Sequence, residues 1–474
     1  MGANSQVGPG RSVVAEENLL ARLDRAPVTR SIKIIIGLLM LAWIIEAFDI
    51  GIIAPAILII KSSWHATAKE IGLLGSAGTF GIVIGLLPAG WFADHYGRKK
   101  VLVIGIVIFS LFTLASAAAQ NVFEIAVLRF IAGLGQGAVF PVPYLLIAEF
   151  VNKQRRGEAV GWTNSLLGFA YMLASLAGFW AVRSFAPELG WRVLFAMGGG
   201  AIIIAPVLWK YLPESPRFLL KKGRVEEVRA FVERVEDEAG LPHDTKLTDE
   251  NALRVLESTT ERRVGLRTLL KPPYFKRCFV SYCALTAPFV VFYLSIIYGP
   301  TIFHAMGATP ANSMLYVAAL NFVSMSGDVI GARVGDRIGR RPAHVIWMTL
   351  AAAAVITLGQ SPPTAVLILA ATGLWFFGVA GFPVPKLYMA EQFPTRLRGT
   401  GTAVGEFISR LLTGVLLVYY IPSLMAAIGM SKLFIILGTL SIILVMPLLF
   451  LGIETAGRSV EETGTDLSAL QGEP

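Results

Sequence analysis

Charged residues are scarce in this chain of 474 residues: Asp, Glu, Lys and Arg make up 15% of it, where a water-exposed surface needs about 25%. That shortage excludes an ordinary soluble enzyme, and the 55% hydrophobic content excludes a disordered chain. Cysteine is nearly absent. Cys278 and Cys283 stand in an apolar run without metal-ligand spacing, which excludes a disulfide scaffold and reads as packing. The five histidines (His65, His95, His243, His304, His344) lie at or near the ends of apolar runs, and no HExxH motif occurs, so the residues point to no enzyme. Gly133-Leu-Gly-Gln136-Gly137 looks like a phosphate loop but lies within an apolar run with no strand before it. Close helix packing explains it better, and nothing else suggests ATP binding. The first 32 residues lack the apolar core and cleavage site of a signal peptide, so the N-terminus is expected to stay on the chain. Acidic residues are the minority, 32 against 41 Lys and Arg, for a net charge of +9. Their placement gives the basic residues a use other than nucleic acid.

What is abundant is long hydrophobic runs. A membrane helix needs about 20 apolar residues, and twelve runs qualify: 33–60, 70–93, 101–119, 122–150, 158–182, 191–212, 278–304, 310–334, 343–360, 363–392, 400–427 and 431–452. With the N-terminus placed in the cytoplasm, 32 Lys and Arg fall on the cytoplasmic side, five on the other, and four within spans (Arg129, Lys210, Lys386, Arg410). Basic residues stay on the cytoplasmic side of membrane proteins, so both termini are expected inside. The expected organisation is an N-tail (1–32), a six-helix bundle (33–212), a charged loop (213–276), a second bundle (277–452) and a C-tail (453–474). In the loop, Val225, Val228, Phe231, Val232 and Val235 recur at near-helical spacing, which predicts short amphipathic helices.

The chain repeats itself. Gly90-Trp-Phe-Ala-Asp94-His-Tyr-Gly97-Arg98-Lys99-Lys100 matches Val334-Gly-Asp336-Arg337-Ile-Gly339-Arg340-Arg341 at an offset of 242. Phe140-Pro-Val-Pro143-Tyr144, followed by Ala148-Glu149 and Arg156-Gly157, matches Phe382-Pro-Val-Pro385-Lys386, Ala390-Glu391 and Arg398-Gly399 at the same offset. Two motifs in one register, six spans apart, are a parallel duplication of a six-helix unit.

These residues carry a family resemblance. The Gly-x3-Asp-x2-Gly-Arg-Lys-Lys loop resembles that of the major facilitator superfamily. Pro213-Glu214-Ser215-Pro216-Arg217-Phe218-Leu219 looks like its PESPRWL element, and Glu454-Thr-Ala-Gly-Arg458-Ser-Val-Glu461-Glu462 like its ETKGRSLEE tail. The last two occur in the sugar-porter and organic-ion/niacin branches. His95 and Ala332 depart from the loop pattern, and the helix 7 Gln-Gln pair of sugar porters is absent around Ala287–Tyr293. The resemblance implies an all-α membrane protein: twelve transmembrane helices in two six-helix bundles of the major facilitator fold, working by alternating access and not as an enzyme.

Charges at bilayer depth are expensive, so each is a functional candidate. Glu46 and Asp49 are three residues apart on one face of the first span. Two carboxylates that close cannot easily both ionise, which is what proton coupling requires. The pair resembles the acidic pair of aromatic-acid:proton symporters, with Glu46-Ala-Phe-Asp49 in place of Asp-Gly-Phe-Asp. Glu406 and Arg410 can pair along the eleventh span. Arg410 resembles an arginine in that helix of organic-anion and niacin-type transporters, and its fork suits a carboxylate. Lys386 breaks the repeat against Tyr144, and is expected to face the acidic side of the first span as a second cation. Gln136 is a polar cavity candidate, and Tyr293, Phe289 and Trp375 belong to a pool of aromatics that could cradle a ring. Asp94, Arg98, Arg129, Glu149 and Arg156, with Asp336, Arg340, Glu391 and Arg398, are expected to form cytoplasmic gate networks.

The residues and the resemblance together imply a proton-coupled importer of a small organic anion, an aromatic or heteroaromatic monocarboxylate. It would be a monomer in a bacterial inner membrane, its partners being that carboxylate and the lipid bilayer, with no nucleic acid, no metal and no cofactor besides the proton gradient. An organic cation held by Glu46, Asp49 and Glu406, or a neutral sugar or polyol, stays open as the cargo.

Overall fold

The computed structural model describes residues 18–243, 266–272, 274–393 and 395–455. Twelve of its helices are long and apolar enough to cross a membrane: α1 Arg30–Ser63, α2 Ala68–Tyr96, α3 Arg98–Ser116, α4 Val122–Phe150, α5 Gln154–Ser184, α6 Pro187–Tyr211, α7 Tyr274–Ala305, α8 Pro310–Ile338, α9 Arg340–Gly359, α10 Thr364–Glu391, α11 Leu397–Ile428 and α12 Met430–Leu451. An even number of spans separates residues 18–29, the described parts of the α6–α7 loop and residues 452–455, so these lie on one side, the basic face, rich in Lys and Arg.

Several spans are broken where the sequence demands it. Proline supplies no N–H and clashes with the preceding turn. Accordingly α4 is interrupted between Val139 and Val142, and α10 between Ala380 and Pro383. These are the two copies of Phe-Pro-Val-Pro, so the repeat encodes a repeated kink. In α11 the helix widens to a π-helical stretch, Leu411–Leu417, directly after Arg410. Such widenings are rare and concentrate at functional sites.

The halves α1–α6 and α7–α12 share one apolar core away from the basic face. It runs from Ile57 and Ile60 of α1 through Leu74 of α2 to Leu294 and Ile297 of α7 and Val418 of α11. There α2 and α11 approach so closely that a Cβ on Gly72 would strike the Tyr419 backbone. Nearer the basic face the N-terminal half keeps a core of its own, built around Leu39, Leu102, Phe109 and Leu146. The halves thus share a core on the far face, while nearer the basic face the N-terminal half has a core that the C-terminal half does not enter.

That second core reaches beyond the membrane helices. The loop contains the helices Pro216–Lys221 and Val225–Ala239. Val228, Val232 and Val235 of the longer one are buried in the core together with Leu19 and Leu23 of the helical stretch 18–25. Between them lies a buried ion cluster: Arg22 bonds both oxygens of Glu236 at 3.0 and 2.5 Å, and Arg25 adds a third contact at 3.0 Å. The N-terminal segment is therefore partly docked structure and not only a polar tail. Residues 1–17 and the tail motif beyond Thr455, with Arg458, lie outside the described residues.

Candidate functional site

Asp49 sits fully buried at the middle of α1, one turn before the point where the helix is re-formed at Ile53. Arg129 of α4 reaches it with one terminal nitrogen, 2.9 and 3.1 Å from the two carboxylate oxygens, and with the other donates to its backbone carbonyl at 3.1 Å. Arg129 also donates to Thr113 of α3 at 2.8 Å, and the Gln136 amide donates to Asp49 at 2.8 Å. A charge in the bilayer must be paired and hydrogen-bonded to be tolerated, and this pair is both. The expectation that Arg129 belongs to the cytoplasmic gate is therefore corrected. From its place in α4 it faces α1 and α3 inside the bundle, and Asp49 is the carboxylate within reach. Gln136, a cavity candidate in the sequence, is spent on the same carboxylate.

Glu46, one turn earlier, faces a different environment. It is 1% exposed, and neither carboxylate oxygen has a hydrogen-bond partner among the described residues. The charges that act on it are those of Arg410 and Asp49.

Arg410, 7% exposed, lies where the halves meet. Its guanidinium is 4.3 Å from the Phe140 ring of α4 and 5.1 Å from the Phe289 ring of α7, a cation held between aromatic faces from both halves. Its hydrogen bonds are few: Glu406 at 3.2 Å and the Tyr293 hydroxyl at 3.4 Å. A guanidinium has five N–H donors. Arg410 keeps terminal N–H groups to spare, whereas both terminal nitrogens of Arg129 are engaged and only its Nε is left without a partner among the described residues. The aromatic wall continues through Phe289, Phe292 and Tyr293, whose ring centroids are 5.4 to 6.3 Å apart, and through Phe382, 4.8 Å from Phe289.

Beside this wall a narrow cavity opens between α5, α7, α8 and α10, lined by Asn164, Tyr171, Phe292, Asn321, Asp328 and Trp375 among others. Trp375 donates to Asn321 at 3.0 Å, so it is fixed by a polar partner. The Tyr144 hydroxyl donates to Asn164 at 3.2 Å, and the Asn164 amide in turn donates to Asp328. Lys386 has its ammonium 5.6 Å from the Phe382 ring, and the acid it acts on is Asp328 of α8. Lys386 was expected to face the acidic side of α1; the acid its charge acts on is instead Asp328 of α8. Asp328 and Asn164 are the residues that the sequence reading missed. The signal was available for Asp328, an acid inside the 310–334 run, but a polar neutral residue such as Asn164 carries no such mark.

On the basic face each half closes its own network. In the first, Arg98 reaches Glu149 at 3.0 Å and Asp94 at 4.0 Å. In the second, Arg340 pairs with Asp336 and reaches Glu391 at 3.5 Å. Glu214 accepts from the Arg98 and Lys99 backbone N–H groups at 2.9 and 3.1 Å, and Glu454 from those of Arg340 and Arg341 at 2.8 and 3.1 Å. Ser215 and Thr455 both bond the second carboxylate of their network, Glu149 and Glu391. Gly97 and Gly339 precede these helix starts at φ 104° and 101°, and a Cβ on either would collide with the capping glutamate. Glu214-Ser215 and Glu454-Thr455 are thus a third repeated pair. Their offset of 240 hid them from a search in the 242 register. Besides Arg129, two expected members fall outside these networks. Arg156 pairs with Asp24 of the N-terminal segment at 3.7 Å, because α5 begins beside that segment. Arg398 has its Nε buried without a partner, and no ion pair of its own among the described residues.

Twelve spans, a twofold six-helix repeat and buried charges at the seam define a membrane transporter of the major facilitator type. The sugar (and other) transporter family matches residues 36–467, and the chain belongs to that family. It is 25% identical over 448 residues to the niacin transporter NiaP of Acinetobacter baylyi, covering 94% of this chain and all of that protein. It is 28% identical over 400 residues to a gallate transporter of Pseudomonas putida, covering 81% of this chain and 85% of the relative. Its fold is that of the xylose transporter XylE from Escherichia coli in an inward-open conformation, with a TM-score of 0.73 at 20% identity over 92% of this chain and 99% of that one.

Proposed function

We propose that this transporter imports a small organic anion, an aromatic or heteroaromatic monocarboxylate, together with a proton. The observation that carries the reading is Arg410: a buried guanidinium at the seam, between two aromatic faces, with unused donors. A carboxylate can take a bidentate contact there, and the rings beside it suit a flat cargo. The names of relatives that carry niacin and gallate, both aromatic acids, agree with this. With both termini in the cytoplasm of a bacterial inner membrane, the basic face is the inner one and the conformation is inward-facing. The working unit is a monomer.

Glu46 is the proton carrier in this reading. A buried carboxylate without partners is costly as a charge and cheap as the acid. When ionised, it competes with the cargo for Arg410; when protonated, it leaves Arg410 to the cargo. Asp49, held by Arg129, is the second candidate. Cargo and proton then favour each other's binding. The test is carboxylate affinity against pH in detergent by titration calorimetry. Parent protein should bind more tightly as pH falls, and Glu46→Gln should bind with little pH dependence. A Glu46→Gln variant with the parent's slope shifts the proton to Asp49. A screen of carboxylates, amines and sugars by thermal shift tests the cargo class, since a ligand stabilises the state it binds. Stabilisation by sugars alone would favour the second reading, to which the Trp375–Asn321 pair lends polar groups.

A further inference from the structure

Resting on the carboxylate reading above, we propose that Asp328 reads a hydrogen-bond donor on the far side of the cargo ring, a ring hydroxyl or ring N–H, so that the preferred cargo is an aromatic monocarboxylate bearing such a donor.

Asp328 lines the cavity between α5, α7, α8 and α10. One of its oxygens accepts from Asn164, while Oδ1 is buried and has no hydrogen-bond partner among the described residues. A buried acceptor left open costs free energy that a cargo donor would recover. Its environment is polarised for that role. Lys386 of α10 is the cation that acts on it, and Asn164, held in turn by the Tyr144 hydroxyl, fixes the other oxygen. The Arg410 guanidinium lies over Phe289, Phe289 packs on Phe292, and Phe292 lines the same cavity as Asp328, so one aromatic wall leads from the arginine to the acid. An arginine at one end and a carboxylate acceptor at the other match a molecule with an acid at one end and a donor at the other. A carboxylate without a ring donor would leave Oδ1 unsatisfied, which is the basis for discrimination.

The test is binding of benzoate and of 4-hydroxybenzoate to the full-length protein in detergent by calorimetry, with thermal midpoint as the folding control. The parent should prefer 4-hydroxybenzoate by about tenfold or more, the range of a hydrogen bond to a charged group. Asp328→Asn should bring the two affinities to within about threefold, mainly by weakening the hydroxylated ligand. If the Asn variant does not fold, Asp328→Glu moves the acceptor by one methylene and should reduce the same ratio. A parent that binds both acids equally, or a folded variant that keeps the parent's ratio, overturns the inference while leaving Arg410 as the carboxylate site. A parent that binds neither acid overturns the carboxylate reading and this inference with it.

Discussion

In the N-terminal half, Asp49 and Arg129 satisfy each other and draw in Thr113 and Gln136, whereas in the C-terminal half Arg410 is buried with two long hydrogen bonds and two aromatic faces. Both arginines are taken out of water and both sit beside a carboxylate, but the terminal nitrogens of Arg129 are engaged by Asp49 and Thr113, while those of Arg410 make one long bond to the Tyr293 hydroxyl. The Asp49–Arg129 pair braces its helices, since breaking it strands a charge. Arg410, whose terminal nitrogens make one long bond, keeps N–H groups for a cargo. The two halves share their scaffold and their gates, so the difference lies in where the repeat was broken. In the 242 register Arg129 corresponds to Ala371, Gln136 to Gly378 and Tyr144 to Lys386.

The largest effect should come from breaking the Asp49–Arg129 pair. Arg129→Met leaves Asp49 buried without its cation, with the Gln136 amide as its remaining side-chain donor, and should cost about 3–5 kcal/mol. A large fall in the thermal midpoint in detergent would register it, and adding Asp49→Leu should recover most of the loss. If the single variant is as stable as the parent, the contrast between the two arginines is gone.

Arg410→Lys should act on binding and not on folding. A point charge cannot reproduce the fork, so carboxylate affinity should drop at least tenfold, about 1.4 kcal/mol. The midpoint without ligand should stay near the parent's. Calorimetry and thermal melts on one preparation check both.

A smaller and symmetric effect is expected on the basic face. Glu214→Gln and Glu454→Gln each remove a charge from a helix start where two backbone N–H groups converge, worth about 1–2 kcal/mol. Similar losses in the two variants would mark the gates as equivalent. A loss confined to one half would show that the repeat diverged there too.

The smallest effect concerns Glu236. Burial alone would raise its carboxyl, but hydrogen bonds and charges from Arg22 and Arg25 outweigh this and hold it below the usual carboxylate range. A group so depressed stabilises the fold above its unfolded value, about 4.3, and the contribution fades as pH falls below that. Glu236→Gln should therefore melt below the parent at pH 7, and the gap should close as the pH is taken below about 4. A gap that is constant with pH would assign the loss to packing.

How much of this was legible beforehand depended on the kind of signal. The twelve spans, the duplication and the kinks at Phe140-Pro-Val-Pro143 and Phe382-Pro-Val-Pro385 are local: hydrophobic length and proline chemistry decide them within a few turns. The candidates Glu46, Asp49 and Arg410 were legible too, because a charge in an apolar run is improbable without a reason. Asp328 obeyed that rule and was overlooked, and the Glu454-Thr455 cap was hidden by a shift of two residues in the repeat.

What the tertiary structure alone decided is which charge meets which. Arg129 and Asp49 are 80 residues apart, Arg22 and Glu236 are 214 apart, and Asn164 and Asp328 are 164 apart. The sequence by itself determined how many helices there are, where they bend and which of them carry a cost that must be met. Helical rotation and the crossing of α1, α4, α8 and α10 then selected the partners. Electrostatic and hydrogen-bond energies depend on separations of a few ångströms across helices, and a one-dimensional pattern contains no such distance.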